Sequence, residues 1–277
     1  MMASTLGSLV STIGIDKVNM DQKLTLIEEH HGVNGAFMLT TILSNAIKNK
    51  QAVLLVLFHN TFEHYHNIGM RVGFNLRSLV ENKQVVVMDH VGMLMDEIED
   101  LCGKAEDFFS TKPTLFSTAD KSNISQVVQK LSAEFQENYR KAEQFNKSVV
   151  VIIDDLSHLL DLGLNQGEAL IYFKYIRSSL DEKSHQLYVM IHSYPSESLK
   201  NSSNFLINNF KYMAQLIISI EPLKASKWNE TNGKLTISWQ IESVRKENHW
   251  AKATVFLYRL MHFRIHIYPP GAVNTFT

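Results

Sequence analysis

Short continuous runs of apolar residues alternate along the chain with segments in which apolar residues recur at helical spacing. The runs predict buried strands at residues 23–29, 52–58, 85–88, 149–153, 186–191 and 216–220. The helical spacing predicts helices at residues 35–48, 61–72, 124–142, 167–180 and 203–213. Asn60 and Glu63 are spaced like a capping box at the start of the second helix. This alternation predicts an α/β fold with a mostly parallel central sheet flanked by helices.

The pattern changes after Pro222, where apolar and polar residues begin to alternate. Residues 235–241 and 254–268 both alternate like half-exposed strands, and the second run is longer than an ordinary strand. We therefore expect a tight turn near residues 261–264 and antiparallel strands at one edge of the sheet, within the region 233–270.

The whole chain, residues 1–277, is interpreted as a single domain. Residues 1–20 are assigned to an N-terminal extension, and they lack the basic start and long apolar core of a signal peptide. Residues 92–123 show the least regular pattern and are predicted to form an irregular surface excursion.

The segment between the first strand and the first helix has the position and length of a phosphate-binding P-loop, G-x-x-x-x-G-K-[ST]. Only the second glycine, Gly35, is present. His30 stands where the first glycine should be, Ala36 replaces the lysine that reaches phosphate, and Phe37 replaces the hydroxyl that holds magnesium. We predict a degenerate P-loop that keeps its shape without its chemistry, and therefore no bound nucleotide cofactor.

Acidic residues follow two of the predicted parallel strands. Asp154 and Asp155 end the run at residues 149–153, where P-loop ATPases place a magnesium-binding aspartate. Asp89 ends the third strand and has the position of a water-activating acid. The alternative is that these carboxylates only end buried strands and cap the turns that follow. Beside the degenerate loop, Asp154 and Asp155 are interpreted as vestigial acids, and we predict no catalytic residue.

Composition excludes several classes of site. The chain has 277 residues and a formal net charge of −1, which gives no overall attraction to nucleic acid or membrane. Cys102 is the one cysteine, so an internal disulfide and a cysteine-based metal site are excluded. Twelve histidines are present, but their sequence spacings do not give the helical pair with a nearby carboxylate that zinc sites favour. We predict no metal site and no membrane segment.

Basic and aromatic residues occur together in two polar segments, at 224–228 and 245–252, and Lys200 follows the fifth strand. Basic side chains next to an aromatic plane suit contact with phosphate and stacking on bases. The alternative is a pair of solvated β-hairpin loops whose tryptophans cover apolar edges. The candidates for RNA contact are Lys200, Lys224, Lys227, Arg245, Lys246, Trp250 and Lys252.

Four passages carry a resemblance to a known family. They lie at residues 23–43, 57–76, 149–163 and in the final region through residue 273, and IIDDLSHLLDLG is the most specific of them. On these passages the chain resembles the family of Elongator complex protein six. The resemblance implies a RecA-like fold without a working P-loop. It also implies a ring of six subunits, two copies each of subunits four, five and six, that binds tRNA.

The same resemblance implies that the ring serves the complex that modifies wobble uridine at carbon five, with the chemistry carried out by another subunit. The loops at residues 156–168 and 192–204 would face the centre of such a ring. A cytoplasmic location, with the nucleus as a second compartment, is expected. Two rival interpretations stay open from the residues alone: an active ATPase subunit with an atypical nucleotide site, and a RecA-like recombination paralogue that binds DNA.

Overall fold

The computed structural model describes residues 3–93, 124–180, 184–194, 202–223, 231–261 and 264–269. These residues contain the strands β1 (Lys23–His30), β2 (Ala52–Leu57), β3 (Val85–Asp89), β4 (Val149–Asp154), β5 (His185–Ser193), β6 (Leu216–Pro222), β7 (Gly233–Trp239), β8 (Thr254–Met261) and β9 (Arg264–Tyr268). They also contain the helices α1 (Ala3–Ile13), α2 (Ala36–Lys48), α3 (Phe62–Val72), α4 (Leu76–Glu81), α5 (Ile124–Phe145), α6 (His158–Asp161), α7 (Gln166–Leu180), α8 (Ser202–Met213) and α9 (Glu242–Glu247).

All the strands belong to one sheet with the order β3-β2-β4-β5-β1-β6-β7-β8-β9. The strands from β3 to β6 are parallel, whereas β7, β8 and β9 are added antiparallel. The predicted mixed sheet is therefore confirmed. Met261 pairs with Arg264, so the chain reverses direction where the turn was expected.

The core lies on both faces of the sheet because successive side chains of the parallel strands point to opposite sides. Leu54 and Val56 join a cluster with α5, α7 and α8, which includes Phe135, Phe173 and Phe210. Val53 and Leu55 join the opposite cluster with α1 and α2. The continuous apolar runs of β2 and β4 follow from this, since every residue of both strands is buried.

Helix α1 lies in the N-terminal segment to which the apolar pattern assigned no element. Leu9 and Ile13 are buried in the core, and the carbonyl of Ile13 accepts a hydrogen bond of 3.0 Å from Trp239 Nε1. The Trp250 ring stacks on Trp239 with 5.5 Å between centroids and lies against Gly14. The end of α1 is therefore held by two tryptophans from the C-terminal part of the chain.

Two local predictions were wrong. Helix α3 is capped by Thr61, whose hydroxyl accepts from the His64 amide, while the Asn60 side chain instead donates to the buried Asp154. The segment before β8 contains helix α9 and is not a simple hairpin loop. An ion pair of 2.7 Å between Glu242 and Lys246, one helical turn apart, supports this short helix. Residues 94–123, most of the predicted excursion, lie outside the described residues.

Candidate functional site

The degenerate loop joins the end of β1, the fifth strand in the order of the nine-stranded sheet, to the start of α2. The Gly35 amide donates a hydrogen bond of 2.5 Å to Glu29 Oε2, and the Ala36 amide donates one of 2.9 Å to Asn34 Oδ1. Amides at a helix N-terminus are the groups that hold phosphate in P-loop proteins. In this chain the carboxylate of Glu29 takes the position that phosphate has at such a helix.

The Glu29 carboxylate is fixed from a second side by a histidine. Glu29 Oε1 lies 2.9 Å from His192 Nδ1, and the two side chains are only 12% and 14% exposed. A Cβ atom at Gly35 would lie 2.8 Å from Glu29 Oε2. A side chain at position 35 would therefore crowd the Glu29 carboxylate, and also Met190 and Ile220.

The residues at the other positions of the degenerate loop make contacts within the protein. Ala36 is buried, and the Phe37 ring lies 5.1 Å from the Tyr258 ring, on the same face of the sheet as α1. His30 belongs to β1, and its Nε2 lies 3.0 Å from the Ser219 hydroxyl. Neither Ala36 nor Phe37 supplies a cation or a hydroxyl to a phosphate.

Asp154 ends β4 as a fully buried carboxyl group. Its Oδ2 accepts hydrogen bonds from the Tyr65 hydroxyl at 2.8 Å and from Asn60 Nδ2 at 2.9 Å. Its Oδ1 has no partner within the described ranges. Burial raises the pKa of Asp154 and outweighs the opposing effect of the bonds from Asn60 and Tyr65. Burial also raises the pKa of Tyr65, and the neighbouring Asp154 adds to this effect.

Asp155 is also buried, and its carboxyl group accepts hydrogen bonds from the turn that follows. Its Oδ1 accepts from the Ser157 amide at 2.8 Å and from the Ser157 hydroxyl at 2.6 Å. Burial raises the pKa of Asp155 well above its usual range, against the effect of the Ser157 bonds. Mg²⁺ usually keeps several of its waters when it binds to protein. Two buried carboxyl groups, 0% and 2% exposed for Asp154 and Asp155, leave no room for that hydrated ion.

Asp89 has the role of a cap. Its Oδ2 accepts a hydrogen bond of 2.6 Å from the Phe62 amide at the start of α3, and its Oδ1 accepts one of 2.7 Å from the Gly92 amide. Both oxygens therefore satisfy backbone donors. The geometry supports the capping alternative and not a water-activating acid.

Four of the basic and aromatic candidates lie among the described residues, in helix α9 and the segment after it. In the register of β6 and β7, Pro222 pairs with Gly233 and Leu216 pairs with Trp239. The chain after β7, which holds α9, therefore lies at the amino ends of the parallel strands, opposite to the degenerate loop. The described candidates Arg245, Lys246, Trp250 and Lys252, in and after α9, therefore lie at the other end of the parallel strands from that loop. RNA contact by any of the candidates stays a prediction.

Several of these candidates also have partners. Lys246 is paired with Glu242, Trp250 stacks on Trp239, and Lys252 is exposed in the turn before β8. Arg245 is half-buried, and its Nε has no partner among the residues that the structure describes. Lys200, Lys224 and Lys227 lie outside the described residues.

A row of histidines that the sequence did not predict lies at the carboxyl ends of the parallel strands, which we call the carboxyl edge of the sheet. The adjacent strands β2, β4, β5 and β1 carry His59, His158, His192 and His31 at or just beyond their carboxyl ends. The His59 and His158 rings stack with 4.2 Å between centroids, and the His31 ring lies 5.8 Å from the His192 ring. The linear spacing of these residues shows no pattern, because the strand order brings them together.

This row is not a metal site by its geometry. Within the described residues, no group of three or more histidine, cysteine, aspartate or glutamate side chains is arranged to hold a metal ion.

Among the helices in the same residues, none has the length and apolar character needed to cross a bilayer.

Solved structures share this fold, and the fold is RecA-like and KaiC-like. An uncharacterized protein from Pyrococcus horikoshii has a TM-score of 0.58 at 14% identity, with 96% of this chain and 98% of that chain covered. A KaiC-like protein from the same organism has a TM-score of 0.54 at 12% identity, with coverages of 92% and 96%. Flagellar accessory protein FlaH from Methanocaldococcus jannaschii has a TM-score of 0.56 at 12% identity, with 94% of each chain covered. The predicted RecA-like fold class is confirmed.

Within this class, the chain belongs to the family described as Elongation complex protein 6, whose family model matches residues 5–262. Elongator complex protein 6 of Drosophila melanogaster is 24% identical over 258 residues, 90% of each chain. The Xenopus tropicalis protein of that name is 24% identical over 98% of each chain, and the human one is 22% identical over 90% of this chain and 91% of its own. The resemblance found in the four passages is therefore confirmed.

Proposed function

We propose that the chain is a non-catalytic RecA-like subunit of the Elongator complex. In this proposal it forms a heterohexameric ring with subunits four and five, binds tRNA as part of that ring, and supports modification of wobble uridine at carbon five. It acts in the cytoplasm, with the nucleus as a second compartment. Membership of the family supports the assignment to Elongator. The ring, the tRNA and the locations follow from what that resemblance implies.

The observation that carries the non-catalytic role is the hydrogen bond between the Gly35 amide and Glu29. A phosphate at the start of α2 would have to displace this carboxylate or approach it. Two unit charges about 4 Å apart repel by roughly 4 kcal/mol near a protein surface. Ala36 offers no lysine to offset that cost, and phosphoryl transfer depends on such electrostatic stabilisation.

The rival enzyme function, an ATPase with an atypical site, depends on the strand-end acids. Asp154 and Asp155 have the expected place in the fold, and Asp154 Oδ1 has no partner in the described part of the chain. Both groups are buried, however, and their other hydrogen bonds go to the protein. The observations therefore favour a scaffold over an ATPase.

Co-expression with subunits four and five, followed by native mass measurement and a tRNA-binding assay, tests the proposal. The expected result is one hexamer with two copies of each subunit that binds tRNA more tightly than DNA of the same length. A chain that stays monomeric in the presence of both partners would contradict the ring. A preference for DNA would support the recombination rival instead.

A further inference from the structure

The row of rings at the carboxyl edge extends beyond the site described above, in which only His192 takes part through its bond to Glu29. It consists of His59, His158, His192, His31 and Tyr194, and we call it the histidine row. The four strands that carry it are consecutive in the sheet, and neighbouring strands lie about 4.8 Å apart, so the row extends over about 14 Å.

The histidine row consists of two groups of rings in contact, His59 with His158 and His31 with His192 and Tyr194. His192 and Tyr194 have centroids 4.5 Å apart, and Tyr194 lies 5.8 Å from His31. His59 and His31 are exposed, while the other three rings are partly exposed. Two groups of flat, partly exposed rings therefore line this edge.

The carboxylates beside the row have partners of their own. Glu29 bonds to Gly35 and His192, and the exposed Asp161 lies 2.8 Å from His158 Nδ1. Asp154 and Asp155 are buried. The surface of the row is therefore formed by rings more than by free anions, which removes a source of repulsion toward a nucleic acid.

The chemistry of the row fits a nucleobase better than a protein surface. The centres of protein interfaces are rich in large apolar side chains. Among the described residues, the exposed large apolar side chains are not members of the row; examples are Met70 on α3, Ile171 on α7 and Phe205 on α8. Unpaired RNA bases, in contrast, stack on tyrosine and histidine rings.

We propose that the histidine row is a stacking surface for a short run of unpaired RNA nucleotides. The proposal rests on the proposed tRNA-binding function and assigns the contact of this subunit to the carboxyl edge. It differs from the basic candidates at α9, which lie at the opposite edge. His59, His31 and Tyr194 are the outer rings that would contact the bases, and His158 and His192 support them from within the row.

The test uses the ring assembled with subunits four and five. A short fluorescein-labelled oligouridylate is the single-stranded probe, and a blunt RNA duplex of equal length is the comparison. The triple variant His59→Ala, His31→Ala, Tyr194→Ala removes the outer rings. A second triple variant, His59→Phe, His31→Phe, Tyr194→Phe, keeps the flat rings. His249→Asn is the matched control, because His249 is an exposed histidine after α9, near the opposite edge.

The alanine variant is expected to bind the oligouridylate at least about tenfold more weakly, with duplex binding unchanged. The phenylalanine variant and His249→Asn should remain within about threefold of the unaltered ring. Unchanged binding by an alanine variant whose ring still binds tRNA would overturn this inference alone. An alanine variant that no longer assembles would assign the row to a subunit contact and also overturn it. An unaltered ring that binds neither tRNA nor the probe would contradict the proposed function as well.

Discussion

The carboxylate of Glu29 accepts a hydrogen bond of 2.5 Å from the Gly35 amide at the N-terminus of α2. A helix N-terminus carries partial positive charge and unsatisfied amides, which attract an anion. The chain supplies that anion from the end of its own central strand. The loop can therefore keep the backbone path of a P-loop, because its amide is already hydrogen-bonded and needs no nucleotide as a partner.

Replacing Glu29 by alanine should open this anion site. The free energy of unfolding should fall by about 1–3 kcal/mol, because the Gly35 amide and His192 lose their shared partner. Inorganic phosphate should then raise the thermal midpoint of the variant but not that of the parent chain. Glu63→Ala is the control, since Glu63 is half-exposed on α3 and should change stability by less than about 0.5 kcal/mol. If phosphate does not raise the thermal midpoint of Glu29→Ala, the inference that Glu29 occupies the position of a phosphate would be contradicted.

His90→Phe should stabilise the protein most in mild acid. His90 is 1% exposed, stacks on Phe58 at 4.8 Å, and neither ring nitrogen has a partner in the described part of the chain. Burial lowers the pKa of His90 to about 4, and Lys130 adds to the effect. The unfolded imidazole binds a proton below its ordinary pKa of 6.5, whereas the folded one does not until about 4. The free energy of unfolding therefore falls as the pH falls between these values.

At about pH 5 this effect of His90 amounts to about 2 kcal/mol. Denaturant unfolding at several pH values should show that the His90→Phe variant lacks this part of the acid-dependent loss. His249→Asn is the control for removing a histidine that is exposed and outside the core. The account of His90 fails if the parent and His90→Phe lose stability in parallel between neutral pH and pH 5.

Gly14→Ala should weaken the attachment of α1. The residue has φ +86°, and a Cβ atom there would lie 2.2 Å from the Trp250 ring. Gly73→Ala is a matched control, because Gly73 has φ +102° but nothing within 4 Å of the added Cβ. Both variants should lose about 1 kcal/mol from backbone strain. Gly14→Ala should lose about 1–3 kcal/mol more from overpacking, as measured by denaturant unfolding. Equal losses in the two variants would contradict the tryptophan contact.

The parallel part of the fold could be predicted because its signals are local. The run at residues 149–153 is apolar throughout, as expected of a strand covered on both faces, and β4 is buried at every residue. Helix α1 could not be predicted in the same way. Its decisive partner, Trp239, donates to Ile13 from 226 positions away, and no short-range pattern shows that bond.

The candidate site could be predicted only in part from the sequence, for the same reason. The missing lysine and hydroxyl at Ala36 and Phe37 are visible in the motif itself. The role of Glu29 is not visible in the motif. Glu29 precedes the loop in sequence, and its carboxylate reaches the Gly35 amide only because the chain turns back toward it. The histidine row needs the strand order, and the position of α9 at the amino ends of the parallel strands needs the register of β6 and β7. The choice of Thr61 over Asn60 as the cap of α3 depends on Asp154, which lies 94 positions from Asn60.

Calorimetric titration of the isolated chain with Mg²⁺ and ATP tests the loss of nucleotide chemistry most directly. The Glu29 carboxylate at the start of α2 and the burial of Asp154 predict no saturable binding in the micromolar range. Asp154→Ala, checked for folding by circular dichroism, should give the same flat titration. Micromolar binding of ATP by the parent chain that disappears in Asp154→Ala would contradict the scaffold account and identify an active nucleotide site.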